Sequence, residues 1–369
     1  MREVPQRIER LPEQYFTALL ARVAAAAAQG GEPLVDLGRG NPEVGPPAHV
    51  IHALTECAER HDVHGYAPFA GLPALKEAIA KRYGELYDVH LDPAREVAVL
   101  PGTKTGLMEF ALCTVESGGT IVLPDPGYPD YFSAVALAGA KHTPFAGFDV
   151  AADAMYLNFP SNPTAAAVPD GLFEEAIEWA DRTNAWILHD FAYGDLVFDG
   201  RRPQSFLAVE HAKRVGIELF SMSKTFGMAG WRLGFALGNA ELVRRIELLQ
   251  DHAFAGIFRP VQEAGIAALT GPQDSVEERR ATYERRRDRA LVALEGIDSR
   301  SEGTFFVWFR PPNGLTVDRL LMEHRVAVAP GEGFGPSGEG WARLSLAVPD
   351  ETLAAGLERL APALSAAYA

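Results

Sequence analysis

The sequence predicts an α/β protein, with a large domain on a mostly parallel sheet flanked by helices on both faces and a smaller α+β domain. Three observations carry this. Short apolar runs at 97–100, 120–123 and 185–188 alternate with longer amphipathic stretches, the pattern of strands covered on both faces. Polar residues suited to ligand binding follow directly after those runs, where an open α/β sheet places its site. From residue 273 the pattern changes, and 341–347 alternates with period two, so that Leu344 and Leu346 face inward and Arg343 faces the other way. The expected division is an N-terminal arm with part of the small domain in residues 1–45, the large domain in 46–272 and the C-terminal small domain in 273–369.

A chain of 369 residues can bury a core large enough for two domains. A net charge of −15 with no basic stripe argues against nucleic-acid binding, and against a regulator that carries a DNA-binding module. Cys57 and Cys113 lie in apolar helical patterns without metal-ligand spacing, and read as core thiols of a reducing compartment. The closest approach to a membrane span, at 19–28, is interrupted by Arg22 and falls short of the ~18 residues required. The charged start is unlike a signal peptide. The expectation is a cytoplasmic enzyme without a metal.

Taken in order, a polar arm leads into a helix with Leu11, Tyr15, Leu19 and Val23 on one side. A short strand at 34–37 enters the loop Gly38-Arg39-Gly40-Asn41-Pro42, and Gly71 and Pro73 mark the start of a helix with Leu75, Ile79 and Tyr83 on its apolar stripe. The strand at 97–100 runs into Gly102-Thr103-Lys104 and a helix over 107–115, an arrangement that aims backbone N–H groups at an anion. The strand at 120–123 ends near Tyr128, an aromatic placed either to stack on a flat ligand or to cap the sheet. A capped helix over 170–183 precedes a strand that ends at Asp190, a carboxylate costly to bury without a cation. His189 reads as a core histidine. Helices follow over 240–251, 261–269 and 275–294, then a strand at 305–309, a helix over 317–324 and a flexible loop at 331–336.

The stretch with the most chemistry is 221–234, after the apolar strand at 215–220. Lys224 stands at the mouth of that strand, where burial lowers the pKa of an ammonium and makes the amine a nucleophile toward carbonyls. Ser221, Ser223 and Arg232 supply hydroxyls and a guanidinium suited to a phosphate, with Gly227, Gly230 and Gly234 letting the backbone close round it. Thr103 and Lys104 supply the other half of the cup. An imine-forming lysine beside a phosphate clamp fits pyridoxal 5′-phosphate, an aldehyde with a phosphate tail.

Around Lys224 the sequence resembles the class I/II aminotransferases, pyridoxal-phosphate enzymes of fold type I, and the resemblance extends along the whole chain through Gly40-Asn41-Pro42, Tyr66 with Gly71, Asn162-Pro163, Asp190 with Tyr193, and Arg343. It looks most like the LL-diaminopimelate and acyl-diaminopimelate branch. The resemblance implies transamination between an amino acid and a 2-oxo acid, ping-pong, through a Lys224 Schiff base, with diaminopimelate-type, aspartate or aromatic donors. It assigns Asp190 to the pyridine nitrogen, Asn162 and Tyr193 to the phenolic oxygen, Tyr128 to the ring face, and Gly102, Thr103, Lys104, Ser221, Ser223 and Arg232 to the cofactor's surroundings. Tyr15, Gly40, Asn162 and Arg343 become substrate contacts, Arg343 as the fork for the α-carboxylate, although Tyr15 also reads as a core aromatic. Tyr66 would reach the neighbouring subunit's phosphate, so a homodimer with shared active sites is implied. Arg259 reads as either a surface arginine or a site residue. Two departures stand out: Ala165 follows Thr164 where the family carries glycine, and the segment between Lys141 and Met155 is about twenty residues short. The alternative reading is a pyridoxal-phosphate-dependent carbon–sulfur β-lyase on the same fold.

Overall fold

The computed structural model describes residues 3–366, so the extreme ends of the 1–45 and 273–369 segments lie outside the described residues. Its large sheet has seven strands, labelled here in chain order: β1 (Val97–Leu100), β2 (Thr120–Leu123), β3 (Lys141–Pro144), β4 (Ala154–Asn158), β5 (Trp186–Asp190), β6 (Gly216–Ser221) and β7 (Gly234–Gly238). Their spatial order is β1-β7-β6-β5-β4-β2-β3. β7 runs antiparallel to β1 and β6, and all other pairs are parallel. The connection from β6 to β7 holds only the short helix Met222–Thr225 and the 3-10 turn Ala229–Trp231, too little for the crossover that a parallel return needs.

Helices cover both faces. On one, Pro73–Tyr87 and Leu172–Thr183 bury Leu75, Ile79 and Trp179 against the sheet. On the other, Thr103–Thr114, Asp130–Leu137 and Ala240–Ala253 bury Phe110, Tyr131 and Ile246. A separate core forms where the antiparallel strands Ala329–Pro330, Ala342–Ser345, Phe306–Phe309 and Ser299–Arg300 pack with helices Asp274–Ala293 and Asp350–Ala366. Val35–Asp36 pairs with Val326–Ala327, which ties the early chain to this second core. The α/β architecture read from the sequence is the one observed.

Several local expectations need correction. Leu11 lies outside the N-terminal helix, which spans Tyr15–Ala28. The helix expected from residue 107 starts at Thr103, because Gly102 at φ 86 supplies the turn. The 170–183 helix begins at Leu172 after Gly171 at φ 79, with no side-chain cap from Asp170. The 331–336 loop folds into 3-10 turns, since Phe334 is buried against Tyr15 and Trp308 and its carbonyl accepts from Gly127 N at 2.7 Å. In the short segment between Lys141 and Met155 strand β3 is kept and no helix precedes β4. The loop binds back instead, with Trp179 Nε1 donating to Val150 O at 2.7 Å. Cys57 is buried and Cys113 only half-buried.

Candidate active site

Strand register sets the site. Asn158, Asp190 and Leu219 are neighbours across β4, β5 and β6, so the polar residues after these strands gather along one carboxyl edge. There a cavity of about 610 Å³ opens, with Lys224 in its wall. Lys224 Nζ donates to Gly40 O at 3.2 Å and sits 5.1 Å from the Phe305 ring centroid and 5.8 Å from that of Tyr193. Burial, helped by the Arg343 and Arg232 charges, lowers its pKa to about 8 against the opposing pull of Asp190.

At one end of the cavity Thr103 and Lys104, after β1, come together with Ser221 at the end of β6 and with Ser223 and Arg232 of the β6–β7 connection. Thr103 opens its helix, so free backbone N–H groups point from it. Ser221 Oγ accepts from Ser223 N at 3.2 Å, and Lys104 Nζ is paired with Asp130 at 2.8 Å. Arg232 adopts φ 57, and a Cβ on Gly102 would overlap its guanidinium. Gly102 therefore acts as space for Arg232 rather than as cavity lining.

Asp190 forms the floor. Tyr131 donates to its Oδ2 at 2.8 Å and Ala192 N to its Oδ1 at 3.2 Å. Burial raises its pKa, and these two donors oppose the rise. It forms no ion pair among the described residues, which leaves a buried carboxylate suited to a cationic partner. Asn158 Nδ2 donates to Asp190 O at 2.9 Å and Asn158 Oδ1 accepts from Asn162 N at 2.8 Å, which fixes the Asn162 loop to this floor. Tyr193 and Tyr128 complete the lining.

Arg343, placed by alternation on the face opposite Leu344, is buried at 1% exposure. Phe306, Phe334 and Phe16 surround the guanidinium, 3.9, 4.7 and 5.4 Å from its Cζ to the ring centroids. Nη1 donates to Asn162 Oδ1 at 2.6 Å, Nη2 to Gly38 O at 3.4 Å, and buried Nε has no partner. Burial lowers its pKa to about 10. A buried cation with an unused donor beside Lys224 is suited to a carboxylate.

Three expected residues lie apart from this cluster. Tyr15 donates to Pro330 O at 2.7 Å and packs on Phe334 outside the lining, where its neighbour Phe16 lines the cavity instead. Tyr66 is 87% exposed and touches Phe69 on the surface of this chain. Arg259 pairs with Glu263 at 3.2 Å, away from the cavity. Sequence reasoning missed Phe16 and Tyr131. Tyr131 stands one turn after Tyr128, its N–H donating to Tyr128 O at 3.0 Å where the chain enters the helix Asp130–Leu137.

A family profile described as "Aminotransferase class I and II" matches residues 32–360. The chain belongs to the class I and II aminotransferases. It is a transaminase, similar at 41% identity to the L-glutamine–4-(methylsulfanyl)-2-oxobutanoate aminotransferase of Bacillus subtilis, over 94% of this chain and 92% of that protein. It is 38% identical to an LL-diaminopimelate aminotransferase of Moorella thermoacetica, over 96% and 97% of the two chains. The substrate-bound structure of BacF from Bacillus subtilis superposes with a TM-score of 0.91 at 36% identity, over 98% of each chain. No helix among the described residues is long and apolar enough to cross a membrane.

Proposed function

We propose that this aminotransferase uses pyridoxal 5′-phosphate and that Lys224 is the amine on which amino transfer turns. The observation that carries this is the setting of Lys224. Its Nζ is depressed toward neutrality in a cavity that has a phosphate cup at one end, an unpaired buried carboxylate in its floor and a half-satisfied arginine opposite. The residues fit the cofactor: the overlap that a Cβ on Gly102 would make keeps that position open for Arg232. Thr103, Ser221, Ser223 and Arg232 would hold the phosphate, Asp190 a protonated ring nitrogen, Asn162 and Tyr193 the phenolic oxygen, and Tyr128 the ring face. When bound, pyridoxal phosphate supplies an electron sink for the amino-acid Cα.

Arg343 would bind the substrate α-carboxylate through Nε and an Nη, and so turn the Cα–H bond toward Lys224. Lys224, neutral in a large fraction of molecules near pH 8, would then take and return the Cα proton as general base and acid. The aromatic rings beside Nζ exclude water from that exchange. Two half-reactions on one site give ping-pong kinetics. The relatives named above are all aminotransferases, which leaves the β-lyase reading without support. Their names point to donors and acceptors as different as LL-diaminopimelate and 4-(methylsulfanyl)-2-oxobutanoate.

The exposed ring of Tyr66, with Phe69 and Phe258 also exposed, supports a homodimer in which Tyr66 serves the partner's phosphate. Lys224→Ala is the test of the central role. Loss of amino transfer from every donor tried, in a folded protein, is expected. Retained transfer above about one-tenth of wild type rules the role out.

A further inference from the structure

The end of the cavity away from the phosphate cup is built by one helix face. Phe16, Leu19, Leu20 and Val23 of Tyr15–Ala28 line it, at the spacing that places them side by side. Phe16 ties this wall to the carboxylate fork, its ring centroid 5.4 Å from Arg343 Cζ and 6.1 Å from the Tyr128 ring. Leu20 lines the cavity and is 42% exposed, an open apolar surface at the mouth. The charged pair at this end, Arg39 with Asp36, is open to water, the Arg39 side chain being 62% exposed. Arg39 Nε donates to Asp36 Oδ2 at 2.8 Å, and Asp36 Oδ1 accepts from Gly38 N at 2.9 Å. A distal carboxylate or ammonium on the substrate would gain only a solvated surface contact with that pair, whereas a hydrocarbon or thioether chain covers Leu20 and Phe16.

We infer that the side-chain subsite of this aminotransferase is the face formed by Phe16, Leu19, Leu20 and Val23, and that it selects apolar 2-amino acids and their 2-oxo acids, with thioether, branched aliphatic or aromatic side chains. The inference rests on the proposed seat of the α-carboxylate at Arg343. Each methylene covered by the wall strengthens binding about threefold to fourfold, so a side chain of several carbons is worth at least about tenfold over none.

Binding of amine-free carboxylates to the cofactor-loaded protein, by calorimetry, separates this claim from turnover. 3-Phenylpropanoate and 4-(methylsulfanyl)butanoate are expected to bind at least about tenfold more tightly than propanoate, with glutarate no tighter than propanoate. Leu20→Asp, an exposed position that the fold tolerates, is expected to shrink that preference to less than about threefold, and Phe16→Ala to shrink it likewise. Glutarate or pimelate binding more tightly than the apolar acids overturns the inference, as does an unchanged ranking in both variants. If Arg343→Met binds propanoate as wild type does, the carboxylate seat itself is wrong, and the subsite placed beside it falls with it.

Discussion

Replacing Arg343 with methionine should separate stability from function. Burial lowers the guanidinium pKa well below its usual value, to about 10, which corresponds to about 3 kcal/mol against the charged form. At neutral pH, below both values, that cost is fully present in the wild type and is removed by the substitution. Set against it are the contacts to Phe306 and Phe334, together about 1–3 kcal/mol, and the 2.6 Å hydrogen bond to Asn162, about 1.5–3 kcal/mol. The net change in stability should therefore stay within about 2–3 kcal/mol, so the variant folds. Function should respond far more strongly. Losing a buried charge-assisted carboxylate fork removes about 3–5 kcal/mol of binding, or roughly two to four orders of magnitude in kcat/KM. Thermal unfolding of the cofactor-loaded variant beside kcat/KM for several donors reads both. A kcat/KM within tenfold of wild type would refute the placement of the α-carboxylate, and failure to fold would refute the account of Arg343 as an underpaired cation.

Tyr131→Phe removes the hydroxyl donor to Asp190, so the Asp190 pKa should rise beyond its already raised value. The acidic limb of the pH–rate profile then moves to higher pH, with an activity loss of about tenfold or more from one charge-assisted hydrogen bond; an unmoved limb contradicts the floor geometry. Gly102→Ala forces a Cβ into the Arg232 guanidinium at φ 86, so cofactor dissociation, followed by dialysis and absorbance, should be at least about tenfold easier. Glu109, raised to about 7 by burial against the weak opposition of Gln250, stabilises the fold in its protonated form. That contribution is complete below pH 4.5 and is lost as pH rises through about 7, so Glu109→Gln should raise the Tm at pH 8 and leave it nearly unchanged at pH 5; equal shifts at both pH values would count against it.

The sheet and its ligand edge were legible because the buried strands are continuous apolar runs and each chemically demanding residue follows one of them. Asp190, Asn162, Ser221 and Lys224 all gain their place from strand register, which local sequence reports well. Arg343 was not legible from alternation. The face opposite Leu344 is covered by Phe16 and Phe334, contributed from distant parts of the chain, and no periodicity within 341–347 reports them. The same distance hid the exchange of Tyr15 for Phe16: Tyr15 is drawn away by the Pro330 carbonyl, and only tertiary packing decides which of two adjacent aromatics faces the cavity. Ala165 departs from the family's glycine yet keeps φ 54. A left-handed alanine costs about 1–2 kcal/mol, and the methyl is fully buried beside the second core, which offsets about 1 kcal/mol of it.

The central claim is tested most directly by loading the protein with pyridoxal 5′-phosphate, reducing it with borohydride and mapping peptides by mass. A phosphopyridoxyl group on the peptide that contains Lys224, and on no other, is the predicted result. Labelling at another lysine, or none in a folded and loaded protein, contradicts it.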